Sequence, residues 1–259
     1  MANPKYISVT AGKDAEEVNA VLSEFQKAGY SLGQEYTPAL GIQISEKTVK
    51  GIKPKNLRFA MFTEVPSLLR IINGKAMPVI HYNTKNLDNL FEQVSNVFES
   101  TYDYCKLVQI NVTFPDVSQL ERIKERFNGL RISLQVDYRG MDLDKVPDKV
   151  VSYGDCLDYV LLDPSRGRGD MFDIDDSTSL YLRIKDKRPD YGIVFAGGFS
   201  GDNVEEVLSK IIHKIQTKDF SICAEGKLRD KVSDEHWGQD VLNIEKVRKY
   251  LQAVRRILN

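Results

Sequence analysis

An alternation of short apolar runs with helical segments constrains the fold of this chain more than any other feature. Eight runs rich in Val, Ile, Leu and aromatic residues are bounded by polar or glycine-containing segments, as is typical of buried strands. After the first run, Val18, Val21, Leu22 and Phe25 recur at helical spacing, and Gly29 ends that helix. The predicted strands are 6–10, 39–45, 77–83, 107–112, 130–138, the runs beginning YVLLD at Tyr159 and YGIVFAGG at Tyr191, and 220–224.

The connections between these strands are predicted to be helices, and they carry no hairpin signals. Parallel strands with right-handed helical crossovers form either an open doubly wound sheet or a closed barrel. Eight alternations favour the α/β fold known as the (β/α)8 or TIM barrel, which takes about 250 residues. The chain has 259 residues and no Pro/Gly/Ser-rich linker. We therefore predict a single domain over residues 1–259, in which a polar loop precedes a last helix at roughly 241–258.

The charge balance and the cysteine pattern exclude several classes of function. There are 36 Lys and Arg against 37 Asp and Glu, so no general attraction to nucleic acid or to an anionic membrane is expected. Cys105, Cys156 and Cys223 form no CxxC pair, which favours reduced thiols over disulfides or a metal site. The N-terminus lacks a basic and then apolar leader, and no run of about 18 apolar residues occurs. We expect a cytoplasmic protein that is a monomer or a homodimer.

Two glycine-containing loops, after the sixth and seventh predicted strands, indicate a binding site. The sixth strand ends at Asp163 before PSRGRGDMFD, and the seventh leads to Gly197 and Gly198 before a predicted helix. Both loops should lie together, because the carboxyl ends of parallel strands meet at one face of a barrel. Glycine lets backbone N–H groups approach an anion, and a helix N-terminus attracts negative charge. The pattern predicts binding of a phosphate monoester, while a loop brace at Asp163 and a simple tight turn at the glycines are the alternatives.

These loops resemble those of phosphoribosylanthranilate isomerases, enzymes of tryptophan biosynthesis. In LLDPSRGRGDMFD the likeness falls on LLD and on a GxGxxFD pattern, and in AGGFSGDNVEEVL it falls on AGG and Asn203-Val204. The resemblance implies a barrel with phosphate-binding loops after strands 7 and 8, and it implies neither a metal nor an organic cofactor. The residues predicted to bind phosphate or substrate are Gly167, Arg168, Gly169, Gly197, Gly198, Gly226 and Lys50, with solvent exposure as the alternative for Arg168 and Lys50.

The reaction of that family is an Amadori rearrangement of an N-phosphoribosyl aminoaldose to an aminoketose. An acid opens the sugar ring, a role that the resemblance assigns to Asp163, and a base removes a proton from the adjacent carbon. The family's base is a cysteine on the first strand, and an ungapped match sets Ile7 at that position. Asn111 and Lys50 likewise stand where the family has a histidine and an arginine. His81, at the end of an apolar strand, is the predicted substitute base, with a core histidine as the alternative.

The sequence leaves three functions open, all with a phosphorylated small molecule as the partner. The first is a phosphosugar isomerase, an intramolecular oxidoreductase of the aldose–ketose type. The second is a barrel enzyme for another phosphorylated substrate, since this fold supports many reactions. The third is a catalytically inactive protein that binds a phosphorylated metabolite. Cys223 is either a thiolate in the site or an inert buried thiol. The Glu225 carboxylate would repel phosphate unless a cation offsets it or the side chain points outward.

Overall fold

Eight parallel strands close into a barrel in chain order. The strands are β1 (Lys5–Thr10), β2 (Tyr36–Ser45), β3 (Met77–Asn83), β4 (Leu107–Ile110), β5 (Arg131–Val136), β6 (Tyr159–Leu162), β7 (Gly192–Ala196) and β8 (Ser221–Ala224). Each strand pairs with the next, and β8 closes the ring by pairing with β1. The computed structural model describes residues 3–111, 114–165, 169–233, 236 and 238–258. The predicted (β/α)8 fold is confirmed.

Helices connect the strands and cover the outside of the barrel. They are α1 (Ala15–Lys27), α2 (Glu46–Val49), α3 (Val65–Ile72), α4 (Leu90–Thr101), α5 (Val117–Arg126), α6 (Val146–Val151), α7 (Ile174–Lys187), α8 (Val204–Ile215) and α9 (Ile244–Leu258). Three helices are capped by an aspartate side chain that accepts a hydrogen bond from a backbone N–H of the first turn. These aspartates are Asp14 at α1, Asp116 at α5 and Asp173 at α7. None of the described helices combines the length and the apolar character that crossing a membrane requires.

The strands are buried on both faces, because the barrel has an interior and the helices cover its exterior. In β1, Ile7 and Val9 belong to the core beneath the helices, whereas Tyr6 packs inside the barrel. The interior apolar cluster comprises Tyr6, Ala39, Met77, Val79, Leu107, Tyr159, Leu161, Val194, Ala196 and Cys223. The lower part of the barrel is therefore a packed core, and a ligand can be accommodated only above it.

The chain after β8 differs from the prediction of a polar loop. It contains an antiparallel hairpin of two short strands, β9 (Arg229–Lys231) and β10 (Asp240–Leu242). The last helix consequently begins at Ile244, because β10 occupies the residues near 241. Three-residue strands with charged side chains show no alternation of apolar and polar residues, so no sequence pattern predicts them.

Arg58, in the connection between β2 and α3, ties this hairpin to the barrel. Its Nε donates to Asp240 Oδ1 at 2.9 Å, and its Nη1 donates to Glu225 Oε1 at 2.6 Å. Arg58 is only 4% exposed, so both ion pairs are shielded from water. A buried charge that loses its partner is costly. The connection after β2, the residue after β8 and strand β10, which these ion pairs join, should therefore stabilise one another strongly.

Replacing Arg58 by Met should lower the free energy of unfolding by about 3–5 kcal/mol, since Asp240 and Glu225 would lose the shielded cation to which both are hydrogen-bonded. The matched control is Arg256→Met, which breaks the surface ion pair with Glu205 and should cost about 0–1 kcal/mol. Urea denaturation of both variants measures the difference. Equal losses would contradict the shielded ion pairs at Arg58.

Candidate functional site

A cavity of about 390 Å³ opens at the carboxyl ends of the strands. All eight strands contribute to its wall at or next to their ends. One lining residue from each, in order from β1 to β8, is Thr10, Gln43, His81, Gln109, Gln135, Asp163, Ala196 and Cys223. The volume is in the range of sites for small molecules.

Asp163, just after β6, lies in the cavity wall and is buried. Gln135 Nε2 donates to its Oδ2 at 2.7 Å. Ser165 donates to Oδ1 twice, from its backbone N–H at 2.9 Å and from its hydroxyl at 2.7 Å. All of these groups donate to the carboxylate oxygens, and the bonds to Ser165 also brace the loop. The side chain therefore holds its own loop and borders the cavity at the same time.

The loops after β6, β7 and β8 meet at one side of the cavity. A Cβ on Gly198 would lie 2.7 Å from the Cα of Met171, and a Cβ on Gly169 would lie 3.3 Å from the backbone N of Lys227. Gly198 has a φ of 73°, a conformation that side chains with a Cβ rarely adopt. Gly226, which precedes Lys227, also lines the cavity. Gly198 is thus required for the close approach of the loops after β6 and β7, and Gly169 lets its loop pack tightly against Lys227.

Asn203 holds the loop after β7 against the start of α8. Its Nδ2 donates to the carbonyl of Gly198 at 2.8 Å, and its Oδ1 accepts the N–H of Ser200 at 2.9 Å. Gly197 lies next to Asp163, because a Cβ at Gly197 would be 3.3 Å from Asp163 Oδ1. The carboxylate and the glycine loop are therefore direct neighbours.

A chain of side-chain amides runs along the wall from β3 to β4. Asn83 Nδ2 donates to the carbonyl of Ile44 at 3.2 Å. Asn111 Nδ2 donates to Asn83 Oδ1 at 3.2 Å, and Gln109 Nε2 donates to Asn111 Oδ1 at 2.7 Å. A backbone carbonyl can only accept, so the first bond fixes the direction of all the others. Gln109 Nε2 also lies 3.0 Å from His81 Nδ1, which must therefore be the acceptor.

His81 is accordingly a neutral imidazole with its proton on Nε2. Burial lowers its pKa from 6.5 to about 3. Gly41 on the neighbouring strand leaves room for the ring, which a Cβ at that position would overlap. A base needs a free lone pair, and the lone pair on Nδ1 is already directed at Gln109. The role of His81 as base stays a prediction, and its surroundings favour a role as N–H donor.

The lowered pKa of His81 makes stability depend on pH. The unfolded chain has an ordinary histidine pKa of about 6.5, so in acid it binds a proton that the folded chain does not take up until pH about 3. Stability is therefore lost as the pH falls below about 6.5. Between pH 7.5 and 5, the wild type should lose about 2 kcal/mol more than His81→Asn. Urea denaturation at both pH values tests this, and parallel losses in the two proteins would contradict it.

The end of β1 and its neighbour β8 offer no ionised thiol. Ile7 is buried beneath the helices, and Thr10 is the residue through which β1 reaches the cavity. The Thr10 hydroxyl lies 3.2 Å from the Sγ of Cys223. Burial raises the pKa of Cys223 to about 12, so its thiol is protonated at neutral pH. A protonated, buried thiol matches the prediction that Cys223 is inert and not the alternative that it is a thiolate.

Glu225 follows β8 and lines the cavity, with Arg58 as its partner. Burial raises the pKa of the Glu225 carboxyl, although Arg58 and Arg229 oppose that rise. Arg58 is the functional candidate that sequence reasoning missed. The resemblance implies an arginine after the second strand, and Arg58 lies in that connection. The sequence analysis instead predicted Lys50 as the cation at this position.

Lys50 does not reach the cavity in the structure. The side chain of Ser45 caps α2, and Lys50 follows this short helix on the surface, where it pairs with Glu46 at 2.6 Å. The cationic side chains of the described cavity lining are instead Lys85 and Lys227. Two further predicted residues, Gly167 and Arg168, lie outside the described residues.

Fold and cavity together define the class of protein: a (β/α)8 barrel with a cavity at the carboxyl ends of its strands. Across the described ranges, no group of three or more His, Cys, Asp or Glu side chains is arranged to hold a metal ion. No family model matches the sequence, and neither does any curated protein.

Solved structures do match the fold over its whole length. Phosphoribosyl anthranilate isomerase from Thermus thermophilus has 16% identity and a TM-score of 0.65, with 97% of this chain and 98% of that chain covered. A phosphoribosyl anthranilate isomerase in complex with reduced 1-(o-carboxyphenylamino)-1-deoxyribulose 5-phosphate has 15% identity and a TM-score of 0.60, with coverages of 97% and 99%. The native KDPGal structure has 12% identity and a TM-score of 0.57, with coverages of 97% and 95%. The chain thus shares the fold of phosphoribosylanthranilate isomerases at low sequence identity.

Proposed function

We propose that the protein binds a phosphorylated sugar derivative in the cavity and interconverts its aldose and ketose forms by proton transfer. One observation carries the proposal: Asp163 and the glycine loops border the same cavity and are direct neighbours. The Amadori rearrangement of an N-phosphoribosyl aminoaldose is the reaction of this type that the loop resemblance suggests.

The phosphate is proposed to bind where the loops after β6, β7 and β8 meet. Gly169, Gly198 and Gly226 present backbone there without side chains in the way, and Lys227 adds a positive charge. The N-terminus of α8, which follows the second loop, favours an anion as well. Solved structures of the same fold include an isomerase in complex with a 5-phosphate compound, which supports this assignment.

Asp163 is the proposed acid that protonates the ring oxygen of the sugar. The donors from Gln135 and Ser165 fix the position of its carboxyl group at the cavity wall. In its protonated form, Asp163 gives a proton to the ring oxygen as the ring opens. Its position next to Gly197 supports a role at the end of the substrate near the phosphate loops.

Glu225 is the proposed base. It follows β8, which pairs with β1, the strand that carries the base in the resemblance. A carboxylate whose pKa burial has raised is a stronger base near neutral pH, and Arg58 holds it in position. Glu225 takes a proton from the carbon beside the opened ring position while Asp163 gives one to the ring oxygen. The isomer therefore keeps the composition of the substrate.

Asp163→Asn and Glu225→Gln should each lower turnover by about 100-fold or more and leave the affinity for inorganic phosphate within about threefold. Turnover is measured by NMR in D2O, as deuterium uptake at the carbon beside the carbonyl, with phosphoribosylanthranilate and ribose 5-phosphate as substrates. Calorimetry gives the phosphate affinity. Asp137→Asn is the matched control, because it changes a cavity carboxylate with no assigned proton transfer.

Two results would contradict these roles. Loss of phosphate binding in Asp163→Asn would make this residue part of the binding loop and not the acid. Phosphate binding by the wild type without turnover of either substrate would contradict the isomerisation and favour a non-catalytic binding protein.

Gly198→Ala should weaken the binding of inorganic phosphate by about tenfold, because its Cβ would push the loop at Met171 away from the site. Gly74→Ala is the matched control. Gly74 has nearly the same backbone conformation, with a φ of 76° against 73°, but its Cβ would enter open space. Calorimetric titration with phosphate compares the two variants. Unchanged affinity in Gly198→Ala would remove this loop from the proposed site.

A further inference from the structure

Three glutamines in the cavity wall have amide oxygens that accept no hydrogen bond from the residues that the structure describes. Gln43 Oε1 is buried and has no partner among the described residues. Gln109 donates through Nε2 to Asn111, and Gln135 donates through Nε2 to Asp163, both at 2.7 Å. No described donor reaches the oxygen of either amide, so β2, β4 and β5 each contribute an unused acceptor to the wall.

The amide orientations of Gln109 and Gln135 are fixed by groups that can only accept. The chain from Gln109 through Asn111 and Asn83 ends on the backbone carbonyl of Ile44. Gln135 donates to a carboxylate, which also only accepts. Reversing any of these amides would set two acceptors against each other. The oxygens of Gln109 and Gln135, and not their NH2 groups, are therefore left for a ligand.

A donor stands beside these acceptors. His81 Nδ1 accepts from Gln109, so the ring proton is on Nε2. Gln43 and His81 are partners in the register of β2 and β3, which sets the Gln43 side chain and the imidazole side by side in the wall. A hydroxyl group both donates and accepts, so it can bond to both side chains. An ammonium group only donates, and an aromatic ring does neither through its carbon edge.

We propose that the part of the ligand beyond the phosphate is a chain or ring of hydroxyl groups, as in a sugar or polyol phosphate without an aromatic substituent. This inference rests on the proposed function, which supplies the phosphate end. Phe199 is the sole Phe, Tyr or Trp side chain in the described lining of the cavity. An aryl group against the amide wall would leave buried oxygens unpaired, and sites built around hydrogen bonds reject such ligands strongly.

Calorimetry on the full chain with four probes tests the inference: inorganic phosphate, ribitol 5-phosphate, phenyl phosphate and phosphoethanolamine. Ribitol 5-phosphate should bind about tenfold more tightly than each of the others. Gln43→Leu should remove most of that advantage and leave the affinity for inorganic phosphate unchanged. Ser95→Ala is the control, because it removes a buried unpartnered oxygen on α4, outside the cavity, and should change no affinity.

Each other outcome overturns a defined statement. Tighter binding of phenyl phosphate, or a Gln43→Leu variant with an unchanged preference, would overturn the hydroxyl-rich ligand while the phosphate site stands. Tighter binding of phosphoethanolamine would replace hydroxyls by an ammonium group. Failure of all four probes to bind would overturn the proposed function and this inference with it.

Discussion

Closure of the barrel by the pairing of β8 with β1 is the constraint on which the rest of the structure depends. In a closed ring of parallel strands, every carboxyl end opens at the same mouth, so residues far apart in the chain share one cavity. Thr10 and Cys223 are in contact across this closure, more than 200 residues apart. Because apolar side chains fill the barrel below, polar residues at the mouth determine what the protein can bind.

Those polar residues are buried, and a buried polar group is stable only when it is paired. The need for pairing explains how the side-chain amides of the cavity wall between β3 and β4 are oriented. The NH2 group of Asn83 donates to backbone carbonyls, so its oxygen must accept from Asn111. The oxygen of Asn111 then accepts from Gln109, and the NH2 group of Gln109 fixes the tautomer of His81. In this chain of amides, the NH2 groups donate to protein acceptors, and the oxygen of Gln109 is left as an acceptor for a ligand. The direction of the hydrogen bonds, and not residue type alone, therefore determines which groups a ligand can bind.

The sequence predicted the parts of the molecule that local patterns encode. β3 has the predicted bounds of 77–83, and the glycine loops beside Asp163 meet at the cavity as expected. The charged hairpin was missed because its short strands lack an apolar pattern. Arg58 was missed, and Lys50 was preferred, because the choice between two cations in one connection depends on where that loop folds. The link between Gln109 and His81 depends on strand register, which a single sequence does not provide.

The hairpin outside the barrel contributes to the electrostatics of the cavity. A carboxylate as buried as Glu225 would be costly without a cation, and Arg58 supplies one only because Asp240 on β10 holds the other side of the guanidinium. In the proposed reaction, this arrangement compensates for the absence of a cysteine base on β1, where the resemblance sets Ile7. Exchanging a thiol on one strand for a carboxylate on the next requires a buried cation and an anion to orient it. The connection after β2 supplies the cation, Arg58, and the hairpin after β8 supplies the anion, Asp240. The proposed reaction thus gives a physical reason for the presence of both segments outside the barrel.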